Sequence, residues 1–78
     1  MEERLRNRIV INPKIMAGKP VIKGTRIPVD AVIQRIADGM SIDEVLKDYP
    51  NLEKDDVRAA LNYSVDLIRG EYTIPVTV

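Results

Sequence analysis

Gly18-Lys19-Pro20-Val21-Ile22-Lys23-Gly24-Thr25-Arg26-Ile27-Pro28-Val29 packs two short β-branched runs, a tight-turn signal and a helix entry into twelve residues. Pro20–Ile22 and Thr25–Ile27 flank Lys23-Gly24. Glycine in second place of a two-residue loop accepts positive φ without a Cβ clash, so the spacing predicts a β-hairpin between these two runs. Pro28 ends the pairing and suits a helix start, where a missing N–H costs nothing. Upstream, Ile9-Val10-Ile11 is apolar and β-branched and is stopped by Asn12-Pro13. It reads as a short buried strand.

Downstream, helical spacing takes over. Val29, Val32, Ile33, Ile36, Ala37 and Met40 form an apolar stripe at helical period, which predicts a helix over about Val29–Asp38 with Gly39 as its left-handed terminator. Ser41 followed by Glu44 is a capping box opening a short second helix that ends before Pro50. A third helix is predicted over about Lys54–Arg69. It has Glu53, Asp55 and Asp56 at its start and Arg69 at its end, in agreement with the helix dipole. Its apolar stripe is Val57, Ala60, Leu61, Val65 and Ile68, and Gly70 closes it. The tail from Tyr72 to Val78 alternates at period two, and Pro75 restricts such a strand to a sheet edge.

The predicted fold is therefore mainly α: a three-helix, helix-turn-helix core behind an N-terminal antiparallel β-hairpin. One domain spans 1–78, with a flexible arm at 1–8, a β segment at 9–28, the helical core at 29–70 and an edge-strand-like tail at 71–78. At 78 residues the core is slight, and such cores need a staple. There is no cysteine to form a disulfide and no histidine to hold a metal. Oligomerisation remains, so a homodimer is expected. Neither a leader-like segment nor a membrane-spanning run is present, and a cytoplasmic protein is expected.

Formal charge is zero overall but divided. Residues 1–26 carry seven basic and two acidic side chains, while residues 27–78 carry five basic and ten acidic ones. Two readings follow: an anionic partner for the basic front, or attraction between the two ends of the chain. Without histidine, Ser41 and Ser64 have no triad partner, and the adjacent acids Asp43/Glu44 and Asp55/Asp56 suit helix starts better than one substrate. Ala17-Gly18-Lys19-Pro20 lacks the first glycine and the hydroxyl residue of a phosphate loop. An enzyme is not expected, nor are a cofactor or a small-molecule substrate. Double-stranded DNA is the candidate ligand. Lys19, Lys23 and Arg26 of the basic turn, with the Arg4/Arg6/Arg8 arm, would meet phosphates, and Lys54, Arg58 and Asn62 would face the groove from the third helix. Ile9, Ile11, Val21, Tyr72, Ile74 and Val76 are the candidate partner or dimer contacts, since exposed strands can pair with a partner's sheet.

Ile11-Asn12-Pro13, Gly18 to Val29, Gly39 to Val45, Tyr49-Pro50-Asn51-Leu52 and Asp56 to Tyr63 together resemble the signature of a small prokaryotic family, domain of unknown function 433. The resemblance covers about residues 9–68. It implies a homeodomain-like three-helix core and a role similar to VapB-type antitoxins, which block a toxin of PIN-like ribonuclease fold and repress their own operon. The alternative is a protein-only dimeric interaction module without DNA binding. Ser64 stands where family members often carry alanine, a small change on a packing face.

Overall fold

The computed structural model describes residues 1–71. The elements in chain order are α1 (Glu3–Arg6), β1 (Ile9–Ile11), β2 (Pro20–Ile22), α2 (Val29–Ala37), α3 (Ile42–Asp48) and α4 (Lys54–Arg69). Among the described residues the architecture is mainly helical, with four α-helices and one two-stranded antiparallel sheet.

The local start and stop signals of the three predicted helices hold. Val29 starts α2 directly after Pro28, and Gly39 follows it at φ +99°. The Ser41 capping box is complete: Ser41 Oγ accepts from the Glu44 N–H at 3.2 Å, and Glu44 Oε1 accepts from the Ser41 N–H at 3.0 Å. Pro50 ends α3, and the turn into α4 is closed by the Leu52 N–H on the Tyr49 carbonyl at 2.9 Å. Arg35 fastens α2 to the end of α3: its Nε lies 3.1 Å from Asp48 Oδ2 and its guanidinium stacks 4.6 Å from the Tyr49 ring centroid.

The strand pairing differs from the prediction. β2 pairs with β1, in the register Ile9↔Ile22, Val10↔Val21 and Ile11↔Pro20. The Lys23-Gly24 turn does form: the Thr25 N–H donates to the Ile22 carbonyl at 3.0 Å and Gly24 sits at φ +79°. Thr25–Ile27, however, is not a strand. Thr25 Oγ1 donates to the Ile22 carbonyl at 2.7 Å and accepts from the Ile27 N–H at 3.0 Å, so the chain bends instead of extending. Contact back to β2 is limited to an Ile22 N–H bond to the Ile27 carbonyl and a bridge between Val21 and Pro28. The connector from β1 to β2 turns through three consecutive residues of positive φ, Met16 (+49°), Ala17 (+56°) and Gly18 (+83°).

The segment 1–8 is not a free arm. Leu5 is buried, and α1 lies along α4. The core gathers Leu5, Ile9, Ile22, Val32, Val45 and Val57 with neighbours from every element. Three predicted stripe positions fall outside it. Ala37 is exposed at the end of α2. On α4, Val57 is completely buried, but Val65 is 42% exposed and Ile68 87% exposed. The short α3 covers only the beginning of that face, and Tyr63 and Asp66 take the inward positions farther along.

Candidate functional site

The basic turn is built by local chemistry. Gly24 supplies the positive φ, and the Thr25 hydroxyl holds both sides of the bend. Lys23 and Arg26 project from it, both exposed. Among the described residues neither has a carboxylate partner.

The other predicted contacts are distributed unevenly. Lys54, Arg58 and Asn62 recur every fourth residue and so share one face of α4. Arg58 lies 3.3 Å from Asp55 and Lys54 lies 3.9 Å from Asp43. Asn62 donates to the Arg58 carbonyl of its own helix at 2.8 Å. Lys19 is set apart from them, 3.3 Å from Asp30 on α2.

Arg4 and Arg8 do not form a basic arm; they are folded onto the acidic start of α4. Arg4 donates to Asp55. Arg8 reaches Asp56 at 3.0 Å and Glu53 at 3.2 Å. Arg6 instead donates to the Met1 carbonyl at 2.9 Å. The hydrogen bond from Arg4, then the neighbouring positive charges, holds the Asp55 carboxyl below the usual carboxylate range. The bond to Asp55 pushes the Arg4 guanidinium up from its ordinary value, and the bond to Asp56 does the same for Arg8. Attraction between the two ends of the chain, the second reading of the charge division, is thus realised for Arg4 and Arg8.

These side chains meet at a polar cleft of about 430 Å³ over the start of α4. Lys23 lines it from the turn, Arg4 and Arg8 from the N-terminal segment, and Asn51, Glu53 and Asp56 from the helix entry. Lys23 of the turn and the entry of α4 therefore border one cleft, whereas Arg26, Lys54, Arg58 and Asn62 do not line it. Sequence patterning missed this arrangement because arginine contacts across about fifty residues leave no periodic trace.

The candidate partner contacts need correction. Ile9 is 2% exposed and Val21 fully buried, so both belong to the core of the single chain. Short β-branched runs had put them in strands but could not say that β1 packs against α4 and β2 against α2. Ile11 is half-buried on β1. Tyr72, Ile74 and Val76 lie outside the described residues. Among those residues no group of three or more potential metal ligands occurs, and no helix is long and apolar enough to cross a membrane.

A profile of the family described as "Protein of unknown function (DUF433)" matches residues 9–64. The chain belongs to the DUF433 family. The match runs from β1 through most of α4 and leaves α1 outside it. A crystal structure of a DUF433 member protein from Anabaena variabilis superposes with a TM-score of 0.75 at 32% identity, covering 88% of this chain and 68% of that one. The uncharacterized protein y4eO of Sinorhizobium fredii is 36% identical over 59 residues, 76% of this chain. The chain spans 27% of the length of y4eO. An uncharacterized protein of Archaeoglobus fulgidus is 67% identical over 27 residues, 35% of this chain and 75% of that protein.

Proposed function

We propose that this DUF433 protein is an antitoxin-like regulator that binds operator DNA and a toxin of PIN-like nuclease fold. The reading rests on the exposed Lys23 and Arg26, which have no carboxylate partner among the described residues. Lys23 borders the start of a sixteen-residue helix whose first-turn acids Asp55 and Asp56 are already occupied by Arg4 and Arg8. Phosphate contacts supply most of the affinity of such proteins, and cations free of internal partners can make them without first breaking an ion pair. Arg58 and Asn62 then face the groove, where arginine suits guanine and asparagine suits adenine. As a homodimer the protein would present two such turns to one duplex. The antitoxin part follows the family resemblance of the motifs, and the binding role, in place of catalysis, follows the lack of histidine and cysteine.

The test is binding of the purified protein to the DNA upstream of its own coding sequence, measured across salt concentrations. Affinity should fall steeply with salt. Lys23→Ala and Arg26→Ala should each weaken binding and reduce the magnitude of the log–log salt slope by about 1. Salt-insensitive or absent binding removes the operator role and leaves a protein-only module.

A further inference from the structure

α4 carries a second apolar row, on the side turned away from the core. Leu61, Val65 and Ile68 follow one another at helical spacing and so lie on one stripe. Asp56, Ala59, Ala60 and Asp66, which are buried, fall on the far side of the helix. The row starts where α3 packs on α4, with Val57 completely buried. It then emerges: Leu61 is half-buried, Val65 is 42% exposed and Ile68 87% exposed. Single exposed apolar residues are ordinary, but successive ones on one helical stripe mark a contact surface.

Charge along the row points to its occupant. Toward the amino end the same row continues with Arg58 and Lys54, both exposed. A parallel copy of α4 would lay Arg58 on Arg58 and Lys54 on Lys54, like charges in one seam. An antiparallel copy instead sets Val65 of each chain on Ile68 of the other. It carries Arg58 past the carboxyl end of the facing helix, where the dipole is negative. The flank agrees as well: Arg69 of one chain comes beside Asn62 of the other. The Asn62 side-chain N–H serves the Arg58 carbonyl of its own helix at 2.8 Å, which turns its oxygen to the role of acceptor. The row is therefore complementary to itself about a two-fold axis, as an isologous contact must be.

We propose that two copies of this chain pair through Val65 and Ile68, with their α4 helices antiparallel. This surface takes the place of Ile9 and Val21, which the fold spends on its own core. Two helical turns from each chain cover less than the roughly 800 Å² per partner of a standard interface, so the pairing is weak and reversible. The inference does not depend on the DNA reading. Lys54 and Arg58 belong to the amino-terminal half of α4, and Val65 and Ile68 to the carboxyl-terminal half. Pairing leaves the basic turn with Lys23 and Arg26 untouched.

The test is sedimentation equilibrium of the whole chain. The mass should rise from monomer to dimer with a dissociation constant of about 10–500 µM. Val65→Glu and Ile68→Lys, both at exposed positions, should each stay monomeric over that range. Mixed in equal amounts, the two variants should regain a dimer. The introduced glutamate and lysine then face each other across the antiparallel pair, while the remaining Ile68 and Val65 still meet. Ile68→Ala, which favours the helix, should weaken pairing of the chain about tenfold or more. A natural chain still monomeric at about 1 mM gives the row to another occupant and overturns the proposal. So does either charged variant that pairs with itself as well as the natural chain does, and so does a mixture that stays monomeric.

Discussion

Arg8 Nη1 donates to Asp56 Oδ1 at 3.0 Å, joining residues 48 positions apart. Asp56 is nearly buried, and its other oxygen accepts from the Glu53 N–H at 2.8 Å. One carboxylate thus caps α4 and anchors the segment before β1. The Arg8 carbonyl, in turn, accepts from the Lys23 N–H at 2.8 Å, so the same residue ties the helix to the sheet.

Asp56→Ala removes a cap and leaves Arg8 only its more exposed partner Glu53 and a longer contact to Asp55, and should cost about 2 kcal/mol in urea denaturation. Arg8→Ala should cost about 1 kcal/mol, because the partly exposed arginine is screened by water. The double variant should cost less than the sum, with a coupling of about 1 kcal/mol. Strict additivity would show that the two side chains do not act as a pair.

Acid should unfold the protein through its helix starts. The Asp55 carboxyl is lowered by its bond from Arg4, and the Glu44 carboxyl by the Ser41 backbone N–H and then the Ser41 hydroxyl. For groups whose folded-state values are depressed, stabilisation is complete above the ordinary values, here 3.8 for Asp55 and 4.5 for Glu44, and is lost as pH falls below them. Unfolding free energy should be nearly flat from about pH 7 to about pH 5 and decline below that. Asp55→Asn should flatten part of the decline, and an unchanged acid slope in that variant would contradict the assignment.

Ile9 belongs to the core of one chain. Ile9→Val should cost about 1 kcal/mol and Ile9→Ala about 2–5 kcal/mol. Thermal melts should show the same loss at low and high protein concentration. A loss that shrinks as concentration rises would return Ile9 to an interface between chains.

Much of this fold is written locally. Ser41 with Glu44, Pro50 after Tyr49, and Gly39 and Gly70 after their helices each act within a turn or two, so their spacing alone locates α2, α3 and α4. The Lys23-Gly24 turn is equally local, and it forms. The partner of Pro20–Ile22 is a different matter. β1 pairs along one edge of it, and on the other edge the Thr25 hydroxyl, bonded to the Ile22 carbonyl, bends the nearer run away after a single bond from the Ile22 N–H to the Ile27 carbonyl. The candidate surface was half legible for the same reason. Lys23 and Arg26 stand on a turn that sequence can place, whereas Arg4 and Arg8 find their carboxylates only after α1 has docked on α4. The apolar stripe of α4 was visible, but not where α3 ceases to cover it.

The loop from β1 to β2 carries a thermodynamic debt. Met16 and Ala17 hold left-handed backbone that residues with a Cβ resist by about 1–2 kcal/mol each, and only Gly18 holds it freely. Both ends of this loop are clamped by the paired strands, so the discomfort persists as long as the pairing does. Glycine at Met16 or Ala17 would relieve that strain in the folded chain, at the cost of a freer unfolded one.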